Sequence, residues 1–167
     1  LGDVYKRQGQ GRSRSACAAR GKGRVYLDFL EKVHRLVEKR EHTMLFWGDI
    51  LREHPELVAE LPAEGTTALA WWYEAPVDAP SLPDDLREIA EEFGFSERAQ
   101  RGFAGHVPPF VEAGMPFWVC PGTSTWNTFI GRWSNARANL LDAARVGAEQ
   151  GATGYMITDW GDNGHMQ

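Results

Sequence analysis

From Val25 to Arg40 apolar residues recur at Tyr26, Phe29, Leu30, Val33, Leu36 and Val37, with charged residues between them. That spacing of three and four predicts an amphipathic helix. The pattern then changes character. Thr43 to Trp47 is a short, continuously apolar run closed by Gly48, as expected of a strand buried on both faces. Ile50 to Leu61 reads as a short irregular helix around Pro55, and Thr66 to Trp72 as a second strand. Pro76 to Pro83 reads as loop, Asp84 to Phe93 as a helix starting near Asp84 or Asp85, and Ser96 to Ala113 as a segment broken by Gly102, Gly105 and Pro108-Pro109. Met115 to Cys120 predicts a third strand. Ser134 is placed to cap a helix over Asn135 to Gln150, with Ala136, Leu140, Leu141, Ala144 and Ala148 on one face and Gly151 ending it. Gly154 to Thr158 predicts a fourth strand.

Helices alternating with uniformly apolar strands imply an α/β fold with a parallel sheet. The strand ends are more telling. They read Trp47-Gly48-Asp49, Trp71-Trp72-Tyr73-Glu74, Cys120-Pro121-Gly122-Thr123-Ser124-Thr125-Trp126-Asn127 and Asp159-Trp160-Gly161-Asp162. Each delivers aromatic and polar groups. In a (β/α)8 barrel the loops after the strands share one face, where residues from several strands converge on a site. The two Trp-Gly-Asp units thus occupy equivalent places on different strands.

Composition narrows the partners. The chain has 167 residues, 43% of them apolar and 25% charged, with a formal net charge of -5, as is ordinary for a globular domain. Nothing in that balance attracts nucleic acid or an anionic membrane surface, although the first 24 residues are locally basic. The two cysteines, Cys17 and Cys120, make no disulfide framework and no zinc pattern. No apolar run is long enough to span a bilayer, and the start of the chain has no signal-peptide core. Compartment and oligomeric state stay open.

Tryptophan is the outlier, with seven residues. Indole faces beside carboxylates and hydroxyls suit a sugar, whose apolar C–H faces pack on rings while its hydroxyls need hydrogen-bond partners. Any one Trp is more often core than ligand, and Trp118 and Trp133 are read as structural. Trp47, Trp71, Trp126 and Trp160 differ because all four fall at strand ends. Asp49, Asp159 and Asp162 serve equally well as turn formers or helix caps. Asp162 and His165 make only a weak metal pair, with no third ligand near in sequence. Cys120 reads as a buried small hydrophobe without a paired His. No cofactor and no metal is assigned.

Together the blocks FWGDI, LREHPELVAELP, ALAWWYEA, PFWVCPGTSTWN and GYMITDWGDNGHMQ resemble the C-terminal half of the catalytic barrel of family 20 glycoside hydrolases, the β-N-acetylhexosaminidases. The resemblance runs from Gly9 to Gln167 and implies strands five to eight of a truncated (β/α)8 barrel. It also implies retaining hydrolysis of terminal N-acetylglucosamine or N-acetylgalactosamine, in which the sugar's own 2-acetamido oxygen is the nucleophile. An adjacent Asp-Glu pair after the fourth strand supplies the family's acetamido-orienting group and general acid. By the same resemblance Trp47, Trp71 and Trp160 would wall the pocket and Asp162 would hold sugar hydroxyls. Asp49, Tyr73, Glu74, Trp126, Asn127 and Asp159 complete the expected substrate-binding set.

This chain departs from the family in two respects. Trp118-Val119-Cys120-Pro121 stands where the seventh strand commonly ends in Tyr-x-Asp, and the sequence contains no adjacent Asp-Glu at all. Gly9 to Ser13 resembles the loop just after that pair, so the catalytic carboxylates are expected upstream of Gly9 and none in this chain. Leu1 to Gln8 resembles translated adapter sequence and is set aside from the fold as a scar. The alternative is a non-catalytic carbohydrate-binding barrel protein. A barrel hydrolase using Asp159 and Asp162 as acid and base is weaker, because nothing in the sequence sets their separation.

Overall fold

The apolar runs become strands because parallel pairing lets each bury side chains against helices returning over the sheet. A computed structural model describes residues 9–77, 97–126 and 128–161. The expected helix from Asp84 to Phe93 and the segment Leu1 to Gln8 lie outside the described residues. In order, the elements are a short 3-10 turn, α1 (Arg14–Arg20), α2 (Lys22–Glu38), β1 (Met44–Trp47), α3 (Asp49–Arg52), α4 (Pro55–Val58) and β2 (Thr66–Trp71). Next come α5 (Glu97–Gln100), a 3-10 turn over Gly102–Gly105, α6 (Pro108–Glu112), β3 (Phe117–Cys120), α7 (Trp133–Gln150) and β4 (Gly154–Tyr155). The sheet is four-stranded, in the order β1-β2-β3-β4, and each pair is parallel.

The register divides the strands into two unlike faces. Met44, Phe46, Ala68, Ala70, Phe117 and Val119 join the main core with Leu27 and Leu30 of α2, Leu51 of α3, Leu57 and Val58 of α4, Phe110 of α6 and Val146 of α7. The opposite face carries Leu45, Trp47, Thr67, Leu69, Trp71, Trp118 and Cys120, which pair with one another across the ladder. Leu45 is 45% exposed there. β1 is therefore covered on one face only, not on both as its apolar run suggests. Trp118 lies flat on Gly154, where an added Cβ would run into the indole.

The helices bury faces that match expectation only in part. In α2, which starts at Lys22, Leu30 is buried and Tyr26, Val33 and Val37 pack against the core as expected, while Gly23, Leu27 and His34 are also buried and Phe29 and Leu36 face solvent. Gly23 allows close approach at the start of this face, because the His54 ring packs where its Cβ would be, with Cγ 2.6 Å away. α7 likewise buries Ala136, Asn139, Asp142, Ala143, Val146 and Gly147. The expected apolar face is displaced, since Leu141, Ala144 and Ala148 are exposed. Ser134 does not cap the helix. The N-cap is Arg132, whose carbonyl accepts from Ala136 N at 2.9 Å, so Trp133 forms the first turn and is 77% exposed instead of structural. Gly151 ends α7 in the left-handed conformation with φ 77°, as a Gly after a helix should. The regular part of the last strand covers Gly154–Tyr155, and bonds from Met156 N to Val119 O and from Thr158 N to Pro121 O, with a bridge of Gly122 to Thr158, carry the pairing on to Thr158 as expected. Among the described residues no helix is long and apolar enough to cross a membrane.

Behind β2 sits a buried histidine. His106 stacks on Trp72 with ring centroids 4.2 Å apart, and neither of its ring nitrogens has a hydrogen-bond partner. Burial, reinforced by Arg52 and Arg98, lowers its pKa from 6.5 to about 3. Because the folded state resists protonation there, the unfolded chain binds the extra proton first, and stability falls as pH drops from 6.5 toward 3. Urea unfolding measured across that range is expected to show a shallower pH slope for His106→Phe than for the native sequence.

Candidate functional site

Parallel pairing brings the four strand ends to one rim, and the face opposite the helices fills that rim with rings. Trp71 ends β2, and Tyr73, two residues on, stacks against it with centroids 4.9 Å apart and planes at 24°. Trp126, from the segment after β3, meets Tyr73 edge-on at 5.0 Å. Trp160, after β4, donates its indole N–H to the Tyr73 hydroxyl at 2.8 Å and lies 5.9 Å from Trp47 at the end of β1. All four strand ends thus contribute to one aromatic arc, with Tyr73 at its centre. Gly122 makes room for it, since a Cβ there would collide with Trp126 and lie 2.9 Å from Tyr73 Cδ1. Aromatic pairs of this kind contribute roughly 0.5–1.5 kcal/mol each beyond their buried area.

The neighbouring carboxylates are engaged by donors. Asp49 opens α3, whose N-cap is Gly48; the Asp49 carboxylate accepts from Trp71 Nε1 at 3.2 Å and so orients that indole. The Arg52 guanidinium covers the Trp71 ring 5.7 Å from its centroid, a cation–π contact. Asp159 accepts from Thr123 Oγ1 at 2.8 Å and also from Thr125 Oγ1. Glu74 forms a two-pronged ion pair with Arg132. Tyr73 is half-buried and its phenol is held above the usual 10, first by desolvation, against hydrogen bonds to Thr158 and Trp160 that pull it down. It is therefore a neutral hydroxyl at physiological pH.

Of the expected substrate-binding set, Trp47, Trp71, Tyr73, Trp126 and Trp160 come together, with Asp49 and Asp159 among the strand-end segments beside them. Glu74 is tied to Arg132. Asn127 and Asp162 lie outside the described residues, as does His165. Sequence reasoning missed Asn135 and Asn139 of α7, whose side chains bond the segments after β2 and β3. The signal was present: Asn135, Asn139 and Asp142 recur at spacings of four and three, a polar stripe on a helix otherwise read for its apolar one. Asp142, also buried, accepts from Phe103 N at 2.8 Å. Among the described residues no group of His, Cys, Asp and Glu could hold a metal ion.

Comparison with protein-family models, with curated proteins and with solved structures finds no match to this chain. What the rim can do therefore rests on its geometry. Stacked rings, indole N–H groups, a neutral phenol and a hydroxyl-bound carboxylate form a surface that is apolar in its faces and polar at its edges. Such a surface suits a small, polyhydroxylated ring better than an extended apolar or strongly charged ligand.

Cys120 lies on the same face, fully buried, with its thiol pushed by desolvation up to about 12. A thiol so disfavoured as thiolate is a packing group, not a nucleophile. Ellman's reagent at pH 8 is expected to modify Cys17 in the native protein and to reach Cys120 only after unfolding. A second expectation concerns the centre of the arc. Tyr73→Phe removes the acceptor of the Trp160 N–H, and tryptophan fluorescence should shift to the red as Trp160 gains solvent, with a stability loss of about 0.5–1.5 kcal/mol in urea.

Proposed function

We propose that this chain forms strands five to eight of a (β/α)8 barrel and binds a terminal N-acetylhexosamine at its rim, as the sugar-binding half of a family 20 β-N-acetylhexosaminidase. The observation that carries this is the convergence of Trp47, Trp71, Tyr73, Trp126 and Trp160 on the C-terminal ends of four parallel strands. Sequential strand order, with the core helices all on one face, supports a barrel segment. A doubly wound sheet reverses its strand order and carries helices on both faces. The face opposite the helices, with Leu45, Leu69 and Trp118, corresponds to a barrel interior, which is filled by layers of side chains.

Within that proposal, one indole face takes the apolar side of the pyranose while the Tyr73 hydroxyl and Asp159 meet its polar edge. In substrate-assisted retaining hydrolysis the acetamido oxygen attacks the anomeric carbon as the glycosidic C–O bond breaks, and a general acid protonates the departing oxygen. This chain has no adjacent Asp-Glu, so its own residues bind and orient the sugar and the acid is contributed from outside them. One observation favours the second reading, a non-catalytic carbohydrate-binding protein: Asp49, Glu74 and Asp159 are all engaged by donors, as suits recognition more than proton transfer.

Titration with N-acetylglucosamine, followed by tryptophan fluorescence, is expected to saturate and to weaken about tenfold or more in Trp160→Ala, a loss of roughly 1.4 kcal/mol. Glucose at the same concentrations should produce a smaller effect. No saturation with either sugar removes the sugar site. The chain by itself is expected not to hydrolyse an aryl N-acetyl-β-glucosaminide, because the missing general acid contributes about 100- to 10,000-fold. Turnover by the chain itself would refute the proposed division of labour, and its loss on replacing Asp49, Glu74 or Asp159 would assign the acid to that residue.

A further inference from the structure

The aromatic arc is built on backbone that has left the sheet. β2 ends at Trp71 and β3 at Cys120; beyond them a bridge of Gly122 with Thr158 and the bond from Thr123 N to Thr158 O serve part of the second segment, and the other peptide groups of residues 72–75 and 122–124 need partners of another kind. Two side chains one turn apart on α7 supply many of them. Asn139, fully buried, donates to the carbonyls of Trp72 and Glu74 at 3.1 Å each and accepts from Gly122 N at 3.0 Å. Asn135, half-buried, donates to Tyr73 O at 2.7 Å and Ser124 Oγ at 2.8 Å, and accepts from Ala75 N at 2.8 Å. Each amide therefore bonds both segments at once.

The bonded backbone is the backbone that sets the arc. Trp72 O and Tyr73 O flank the Cα of Tyr73, the residue that touches Trp71, Trp126 and Trp160, and Glu74 O follows one peptide on. Gly122 lies directly beneath the Tyr73 and Trp126 rings. Ser124 is held in the left-handed region at φ 56°, which is uncommon for a residue with a side chain. Asn135 binds its hydroxyl there and Arg132 N binds its carbonyl at 3.0 Å. On either side of Ser124 stand Thr123 and Thr125, the two residues whose hydroxyls meet Asp159.

We infer that Asn135 and Asn139 are positioning residues of the rim, fixing the distance between the Tyr73 and the Trp126 segments and thereby the width of the aromatic site. A hydrophobic residue at either position would fill the space but leave several peptide groups without partners, and the two segments would lose their common reference. The ligand half of the inference rests on the proposed sugar site; the geometric half does not.

The test compares native protein with Asn135→Leu by far- and near-ultraviolet circular dichroism, thermal unfolding and N-acetylglucosamine titration. The expected result is unchanged far-ultraviolet dichroism, a loss of near-ultraviolet intensity from the coupled Tyr and Trp rings, and a Kd raised about tenfold. A lower Tm with the near-ultraviolet spectrum and Kd of the folded protein unchanged would mean that the amide only supports the fold, and would overturn the inference. Should Asn135→Leu not fold, Asn135→Asp is measured in the same way; it keeps the bond from Ala75 N and loses the donation to Tyr73 O. If native protein binds no N-acetylglucosamine, the sugar proposal fails separately. The near-ultraviolet comparison then decides alone, with altered intensity supporting the positioning role and unaltered intensity overturning it.

Discussion

Parallel hydrogen bonding between strands is the constraint on which the rest depends. Once β1 to β4 pair in sequence order and in one direction, their C-terminal ends must share a rim, and side chains at paired positions must share a face. The connecting segments then return on one side and bury Phe46, Ala70, Phe117 and Val119. The other side is left for Trp47, Trp71 and, past the strand ends, Tyr73 and Trp160. The adjacent pair Trp71 and Trp72 shows the division most directly. Alternation in a strand sends neighbours to opposite faces, so Trp71 stacks on Tyr73 at the rim while Trp72 packs behind the sheet against His106.

α7 serves both sides of that division. Its Ala136, Ala143, Val146 and Gly147 pack inward, and Gly147 allows close approach, with Val119 Cγ2 2.9 Å from where its Cβ would lie. Along the same buried side runs the polar stripe of Asn135, Asn139 and Asp142. Burying amides and a carboxylate is costly unless they are satisfied, and here they are bonded to main-chain groups of residues 72–75, 103 and 122 and to the Ser124 hydroxyl. The helix is thus held to the loops by directional bonds and to the sheet by packing. Directional bonds are what a rim of loops needs, because hydrophobic burial alone does not fix an angle.

Charge plays a smaller part. The ion pairs Arg24 with Glu60, Arg98 with Glu53 and Arg132 with Glu74 are all partly exposed, and pairs in such solvent-screened positions add little to stability. Arg132 and Glu74 matter more for where they act, joining the start of α7 to the end of the β2 segment beside the two asparagines. Removing the burial of a core ring such as Phe110, by contrast, would cost about 3–5 kcal/mol.

Much of this was legible in the chain itself. Apolar runs closed by Gly or Pro marked the strands, helical periodicity marked α2 and α7, and aromatic residues after every strand marked the rim, because each of these signals is local. Rotation was not legible. Phe29, Leu36 and Leu141 look like core residues by spacing and are exposed, since which side of a helix is buried depends on close approaches such as His54 at Gly23 and Val119 at Gly147. Nor was the fate of the carboxylates: Asp49, Glu74 and Asp159 carry the same chemistry in sequence, and only the fold assigns them to an indole, a guanidinium and two threonines. The sequence by itself determined the kind of element at each position and the residues offered at the strand ends. The tertiary structure alone decided which of those residues meet, because Tyr73, Trp126 and Trp160 are brought together by strand pairing and by two side-chain amides acting across more than 60 residues of chain, a separation no local pattern can encode.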